Sequence, residues 1–198
     1  MNTILLIRHG QSAANVGLPT LDPESIPLTD KGQLQAENAA KELRSAVDLI
    51  IVSPYLRAQQ TAEPLIKRFP NALVEIWPEV REFTYLSPAS CAGTTVLDRK
   101  ERVDAYWDAA DPDYVDGEGA ESFRQFMQRA DRVLKKLSEL QYKNAAVVSH
   151  EQFMRALLME KLDPVFRNTA FAEKMRMFRN GIRIANAEII RLEETGLH

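Results

Sequence analysis

Short apolar runs that alternate with stretches of helical periodicity are the feature that most constrains the fold of this chain. Apolar runs of strand length recur along the sequence at residues 3–7, 48–53, 72–77, 145–150 and 187–193. Stretches with a helical pattern lie between them at residues 29–47, 55–62, 98–109, 121–140 and 152–162. Strands and helices that alternate at this spacing predict an α/β protein, in which helices cover both faces of one central sheet.

The periodicity of two helices predicts which residues they bury. The helix at 121–140 is the clearest, because its apolar residues fall on one stripe: Phe123, Phe126, Met127, Ala130, Val133, Leu134 and Leu137. The helix at 29–47 places its apolar residues near one face: Leu34, Ala36, Ala39, Ala40, Leu43 and Val47. Both stripes are expected to face the sheet.

Serine and proline residues mark the expected start and interruption of the second helix. Ser53 supplies a hydroxyl for an N-cap, and Pro54 stands where a proline suits the first turn. Pro64 should kink or interrupt the helix, because proline lacks the backbone donor and clashes with the preceding turn. Residues 78–95 show no clear period and are too long for a simple connection.

Length and composition limit the classes of protein to which the chain can belong. With 198 residues the chain is long enough for one domain and too short for two comfortable ones. A net charge of -3 gives no reason to expect nucleic acid or an anionic membrane as partner. The single cysteine, Cys91, excludes an internal disulfide and suits a cytoplasmic protein. Arg8 interrupts the first apolar run before it reaches signal-peptide length, and no run is long enough to span a membrane.

Polar and charged residues stand where the apolar runs end. Arg8 and His9 follow the first run, Arg57 follows the second, Glu82 follows the third and His150 ends the fourth. Ligand sites in α/β sheets lie beyond the carboxyl ends of the strands. Two histidines, two arginines and a carboxylate are therefore expected to converge at one edge of the sheet.

These residues belong to motifs that resemble the histidine phosphatase superfamily, in its phosphoglycerate-mutase-like branch. The motifs are "RHG" at 8–10, "SPYLRAQQTA" at 53–62, "GEGAES" at 117–122, "VVSH" at 147–150 and "IANAEIIRL" at 184–192. The resemblance runs from about residue 3 to residue 192. It implies a three-layer α/β/α sandwich with a mostly parallel, mixed sheet that carries an antiparallel strand at one edge. It also implies a single histidine phosphatase domain over residues 1–198, with a lid-like insertion at about 78–118.

The resemblance assigns roles that agree with the chemistry of the residue types. His9 matches the nucleophile, which forms a phosphohistidine and divides one displacement into two. Arg8 and Arg57 match residues that clamp the phosphate, for which the planar guanidinium is suited. His150 matches a further donor to the transferred group, and Glu82 matches the proton donor to the leaving group.

Two small polar residues complete the expected site. Ser12 and Asn15 match positions that line the phosphate site in the family, although small polar residues are also common in ordinary loops. No cluster of residues has metal-ligand spacing, so neither a metal nor another cofactor is expected.

The resemblance predicts a metal-independent, acid-type phosphatase that hydrolyses a small phosphate monoester. A phosphoglycerate mutase is the first alternative, although the longer insertion of the mutases after the Glu82 position is absent. A phospho-ligand-binding module without turnover is the second alternative. The sequence names neither the substrate nor the oligomeric state. Four aromatic residues of the expected insertion fit either a lid or local packing: Phe83, Tyr85, Tyr106 and Trp107.

Glu151 is a departure from the family pattern, which usually has glycine after the second histidine. A carboxylate near a phosphate dianion would repel it, whereas the first turn of a helix stabilises an anion. We therefore expect the Glu151 side chain to turn away from the phosphate-binding groups. On that expectation Glu151→Gly changes catalytic efficiency less than about tenfold, and contact of the carboxylate with Arg8 or Arg57 would contradict it.

Overall fold

A computed structural model describes residues 3–193 as an α/β fold. Two short 3-10 turns lie at Ala13–Val16 and Pro78–Val80. The strands are β1 (Thr3–Arg8), β2 (Leu49–Val52), β3 (Leu73–Ile76), β4 (Asn144–Ser149) and β5 (Ile189–Glu193). The helices are α1 (Asp30–Glu42), α2 (Leu56–Arg68), α3 (Pro88–Cys91), α4 (Lys100–Ala109), α5 (Phe123–Ser138), α6 (Glu151–Leu162), α7 (Pro164–Asn168) and α8 (Phe171–Arg179).

The five strands form one mixed sheet in the order β3-β2-β4-β1-β5. The first four in this order are mutually parallel, and β5 pairs with β1 in the antiparallel sense. The predicted mixed sheet with an antiparallel edge strand is therefore confirmed. The register places Arg8 beside Ser149, so the residues that follow β1 and β4 leave the sheet next to each other.

Alternate residues of the strands face two separate hydrophobic cores, which gives the predicted three layers. One core packs strand residues such as Leu6 and Ile51 against the stripe of α5 and against α6 and α8. The other packs residues such as Ile7 and Ile50 against α1 and α2. The predicted stripe of α5 is buried, with Leu134 partly so, whereas Leu34 of α1 is 60% exposed and does not face the sheet.

The start of α2 differs from the prediction. This helix begins at Leu56 with Tyr55 at the N-cap, and Ser53 makes no cap because its hydroxyl bonds to His150. Pro64 was also expected to disturb the helix, yet α2 runs without interruption to Arg68. One missing donor is tolerated because the buried face of the helix, which includes Leu65, holds it against the sheet on both sides of the proline.

Two glycines allow the loop after β1 to lie against the first turn of α1. A Cβ atom on Gly10 would lie 2.4 Å from the Gly32 carbonyl oxygen, and one on Gly32 would lie 2.0 Å from the Gln11 carbonyl oxygen. Any side chain at either position would separate the two backbones. Glycine at both positions therefore fixes where His9, the residue between Arg8 and Gly10, meets the rest of the site.

The predicted insertion at 78–118 contains α3 and α4, and an isolated bridge joins it to the loop after β1 through Thr20 and Thr94. Three of the four aromatic residues considered for a lid are buried in the core, namely Phe83, Tyr106 and Trp107. Local packing therefore accounts for these three, and a closing lid stays a prediction. Within residues 3–193, no helix has the length and apolar character needed to cross a membrane.

Candidate active site

His9 directly follows β1, and one of its ring nitrogens is hydrogen-bonded to the backbone. Its Nδ1 lies 2.7 Å from the Gly10 carbonyl oxygen. A carbonyl can only accept a hydrogen bond, so Nδ1 carries the proton and Nε2 keeps its lone pair. Burial, and then the nearby Arg57 guanidinium, hold the pKa of His9 well below its ordinary value. His9 is thus a neutral imidazole with Nε2 available as a nucleophile at neutral and mildly acidic pH.

Arg57 brings a buried cation to this nitrogen from the first turn of α2. Its Nε donates to His9 Nε2 over 3.2 Å, and its Nη1 donates to the Pro23 carbonyl over 2.6 Å. Burial lowers the pKa of Arg57, but the ordinary value is high enough that the side chain stays charged. Among the described residues no carboxylate forms a salt bridge with Arg57, so its charge is available to an anion next to His9.

His150 follows β4, and its ring centroid lies 5.2 Å from that of His9. The Ser53 hydroxyl lies 2.7 Å from His150 Nε2 and accepts a long hydrogen bond from the Tyr55 backbone. The hydroxyl can donate to Nε2 of the neutral ring or accept from a protonated Nε2. Nδ1 is buried and has no hydrogen-bond partner within residues 3–193.

Nearby charges explain how His150 would respond to an anion. Burial lowers the pKa of His150 well below its ordinary value, and Arg57 and His9 lower it further. A phosphate dianion would counter these charges and favour the imidazolium. Both ring nitrogens of the imidazolium carry protons, so the unpaired Nδ1 is then a hydrogen-bond donor.

Glu82 lies in the wall of a cleft and reaches the first turn of α6. Its carboxylate accepts backbone hydrogen bonds from Phe83, Phe153 and Gln152 at 3.0, 3.1 and 3.4 Å. Burial raises the pKa of Glu82 above its ordinary value, although these N–H groups and Arg57 act in the opposite direction. A carboxylic acid that holds its proton to a higher pH than usual is suited to protonate a leaving group.

Arg8 and Glu151 form an ion pair, so the predicted orientation of Glu151 is wrong. Glu151 Oε2 lies 3.2 Å from Arg8 Nη2, and Oε1 lies 2.8 Å from Arg155 Nη2 and 3.6 Å from Arg183 Nη1. The helix N-terminus does accommodate the carboxylate, as expected. The parallel register of β1 and β4 nevertheless places that terminus beside Arg8. The reason for expecting Glu151→Gly to have only a small effect on catalytic efficiency is therefore removed.

The ion pair leaves Arg8 with donors to spare. Its Nη1 donates to the Ile184 carbonyl and its Nη2 faces Glu151. A guanidinium has five N–H groups, so three remain, and they include the buried Nε, which has no partner among the described residues. Glu151 therefore neutralises part of the charge of Arg8 without using all of its donors, and it does not contact Arg57.

We expect Glu151→Gln to tighten inhibition by inorganic phosphate about tenfold. The amide keeps an acceptor for Arg8 and Arg155 but removes the negative charge that competes with phosphate for Arg8. The measurement is the inhibition constant of phosphate during hydrolysis of nitrophenyl phosphate. Glu173→Gln is the matched control, because it removes the same charge from an exposed pair with Arg176. Unchanged or weaker inhibition in Glu151→Gln would contradict the competition.

The structure brings Ser12 and Asn15 close to His9 but commits them largely to each other. The Ser12 backbone and hydroxyl both donate to Asn15 Oδ1 over 3.0 Å. Asn186 Nδ2 lies 3.2 Å from Asn15 Oδ1 and 3.2 Å from the His9 carbonyl. Asn15 keeps its own amide N–H groups for a ligand, whereas Ser12 serves mainly to orient Asn15.

Sequence reasoning assigned no role to Asn186, Thr61 or the side chain of Ser53 toward His150. The Thr61 hydroxyl accepts from the Gly10 backbone over 3.0 Å and donates to the Arg57 carbonyl over 2.6 Å. These three residues hold the loop after β1, α2 and His150 in place. Only their presence inside the quoted motifs pointed to them.

A cleft of about 240 Å³ opens from Arg57 and Glu82 toward the segment that contains α3 and α4. Gln152 and Tyr55 also lie at the Arg57 end of its wall. Within residues 3–193 no three His, Cys, Asp or Glu side chains are grouped so that they could hold a metal ion. The site groups two arginines, two imidazoles and one carboxyl group.

Known proteins resemble this chain in sequence and in structure. Residues 4–193 match the sequence model of the histidine phosphatase superfamily (branch 1). Adenosylcobalamin/alpha-ribazole phosphatase of Escherichia coli (strain K12) is 33% identical over 159 residues, which are 77% of this chain and 75% of that protein. The crystal structure of the alpha-ribazole phosphatase from Shigella flexneri is 28% identical, with a TM-score of 0.74 over 98% of this chain and 91% of that one. A 2,3-bisphosphoglycerate-dependent phosphoglycerate mutase of Bartonella bacilliformis is 35% identical over 69 residues, which are 33% of this chain and 34% of that protein.

Proposed function

The chain belongs to the histidine phosphatase superfamily, and we propose that it hydrolyses small phosphate monoesters through a phosphohistidine formed on His9. One observation carries this assignment. His9 donates its Nδ1 proton to the Gly10 carbonyl, and its Nε2 lone pair accepts a hydrogen bond from the buried Arg57, which a phosphate oxygen would take over as the substrate binds. A lone pair next to an anion-binding donor is the arrangement that attack on a phosphate requires.

In the first step, His9 Nε2 forms a bond to phosphorus and the bond from phosphorus to the alcohol oxygen breaks. Charge on the transferred group spreads over three oxygens. Arg57, the free donors of Arg8 and the unpaired Nδ1 of protonated His150 are available to bind those oxygens. Glu82 gives its proton to the alcohol oxygen as it leaves, so the acid ends the step as a carboxylate.

In the second step, water attacks the phosphorus and the bond between phosphorus and Nε2 breaks. The Glu82 carboxylate takes the proton of the attacking water and returns to the acid form. Inorganic phosphate leaves and His9 is again neutral. Two arginines and an imidazole supply the positive charge and donors that the transferred group needs, so the proposed mechanism requires no metal.

The comparisons favour hydrolysis over the mutase alternative. The phosphatase relative matches 77% of the chain, whereas the mutase relative matches 33% of it. The directions of the pKa shifts support the finer prediction of an acid-type phosphatase. The neutral His9 persists into acidic pH, and the acid form of Glu82 is also favoured there. A cytoplasmic location and the lack of a nucleic-acid partner stay predictions.

Phosphate release from simple monoesters tests the function. We expect the protein to release inorganic phosphate from nitrophenyl phosphate and from alkyl phosphates, with rates unchanged after treatment with EDTA. Activity that is lost to EDTA and restored by a divalent ion would contradict the metal-independent mechanism. A mutase would instead return phosphate to the same carbon skeleton, and a binding module would bind phosphate without any release.

A further inference from the structure

The cleft that extends from Arg57 and Glu82 is lined mostly by apolar side chains. They come from the loop after β1 and from the segment that contains α3 and α4, and include Leu21, Ile26, Tyr85, Leu86, Val96 and Val103. Arg57, one of the proposed phosphate donors, and Glu82, the proposed acid for the leaving oxygen, both line the cleft. The alcohol part of a bound monoester must therefore extend along the apolar walls.

Several polar groups in this wall are already engaged with the protein, whereas the buried Oε1 of Gln152 has no partner among the described residues. The Asp22 carboxylate accepts from Ser25 and from the Glu24 backbone, and the Thr84 hydroxyl lies 3.4 Å from the Tyr55 hydroxyl. Arg99 donates its Nε to the Thr95 carbonyl over 3.0 Å. A sugar or polyol would lose water from several hydroxyl groups, and Gln152 Oε1 is one acceptor that could replace part of that loss.

The rim of the cleft continues the apolar character to the surface. Leu21 is 78% exposed and Val96 is 57% exposed, and both line the cleft. The Thr20–Thr94 bridge holds their two segments side by side. An apolar ligand that enters the cleft would remove these exposed apolar side chains from water, which favours its binding.

We propose that this phosphatase selects phosphate monoesters whose alcohol carries an apolar group about the size of one ring, and discriminates against polyol and sugar phosphates. The inference rests on the proposed function and specifies the substrate class of the same site. The cleft of about 240 Å³ is smaller than the 300–1,000 Å³ of sites for drug-sized ligands. Its size suits a single small apolar body rather than a long chain or a protein segment.

Three substrates test this selection: ethyl phosphate, 2-phenylethyl phosphate and glycerol 3-phosphate. All three release a simple alcohol and need the same acid. We expect kcat/KM for 2-phenylethyl phosphate to exceed that for ethyl phosphate at least about tenfold, through burial of the ring. Glycerol 3-phosphate should be no better than ethyl phosphate.

Two variants locate the selection in the cleft. Val96→Asn and Leu21→Asn should each reduce the preference for 2-phenylethyl phosphate at least about threefold and leave kcat/KM for ethyl phosphate within about twofold. Both positions are largely exposed, so neither change threatens the core. Leu97→Asn is the matched control, because Leu97 adjoins Val96 and is 78% exposed but is not among the cleft-lining residues.

The outcomes separate the inference from the proposed function. Equal kcat/KM for the three substrates, or faster hydrolysis of glycerol 3-phosphate, would overturn the apolar selection while leaving the phosphatase in place. An unchanged preference in both cleft variants would also overturn it. No phosphate release from any of the three, or from nitrophenyl phosphate, would overturn the proposed function itself.

Discussion

Replacement of His9 by alanine should reduce kcat/KM for nitrophenyl phosphate by at least about 10⁴-fold, or about 5.5 kcal/mol in the barrier. Alanine removes the Nε2 lone pair that forms the bond to phosphorus, and the other imidazole of the site, His150, has its Nε2 hydrogen-bonded to the Ser53 hydroxyl. Initial rates over a range of substrate concentrations measure the effect. A loss of less than about tenfold would show that the nucleophile lies elsewhere.

A second His9 variant separates lost chemistry from lost structure. His9→Asn keeps a side-chain N–H for the Gly10 carbonyl, which His9 Nδ1 contacts at 2.7 Å. We expect it to fold with the thermal stability of the wild type and to bind inorganic phosphate, yet to be as inactive as His9→Ala. Substantial activity in a folded His9→Asn would exclude a phosphohistidine at this position.

Replacement of Glu82 by glutamine should reduce kcat/KM for alkyl phosphates by about 10²- to 10⁴-fold and affect nitrophenyl phosphate less than about tenfold. Alkoxides need a proton to leave, whereas nitrophenolate does not. The constant kcat/KM reports steps up to release of the alcohol, so slower hydrolysis of the phosphohistidine does not obscure the comparison. Equal losses on both substrates, in a variant that still binds phosphate, would remove the acid role from Glu82.

The pH dependence of the rate, compared between the wild type and Glu82→Gln, tests the direction in which the pKa of Glu82 is shifted. Burial raises the pKa of Glu82, so the wild-type rate on alkyl phosphates should fall as pH rises through that pKa, where the acid loses its proton. The pKa of His9 is lowered, so the decline on the acidic side should lie below the ordinary histidine value. Glu82→Gln should lose the alkaline decline and keep the acidic one. An alkaline decline that persists unchanged in the variant would contradict this assignment.

Much of the fold was predictable because local patterns and tertiary packing agree. The stripe on α5 that includes Phe123, Phe126 and Met127 was read from the sequence and is buried in the structure. The alternation of strands and helices likewise predicted the layers. The presence of an antiparallel edge strand came from the family resemblance alone, because a short apolar run carries no sign of the direction in which it pairs, and the structure shows that this strand is β5.

The local signals that failed are those that the tertiary structure overrides. Ser53 and Pro54 form a plausible helix start, yet the Ser53 hydroxyl serves His150 instead. Pro64 lies within an unbroken helix because the packed face of α2 outweighs one lost hydrogen bond. A window of a few residues shows neither the hydrogen bond between Ser53 and His150 nor the packing of α2 against the sheet.

The part of the candidate site that is formed by residues following parallel strands was predictable from the sequence. Arg57, His9 and His150 do come together, because residues that follow parallel strands share one edge of the sheet. The Arg8–Glu151 ion pair was missed because it depends on the register between β1 and β4. Asn186 was missed because it reaches His9 from a segment distant in sequence.

The most direct test of the proposed mechanism is to trap the covalent intermediate. Brief incubation with a substrate labelled in its phosphate, followed by denaturation, should leave label on a peptide that contains His9. The label should be stable in base and lost in acid, as expected for a phosphorus–nitrogen bond. His9→Ala should carry none, whereas Glu82→Gln should keep the label longer because it lacks the base for water. Label that persists in His9→Ala would contradict a phosphohistidine at His9.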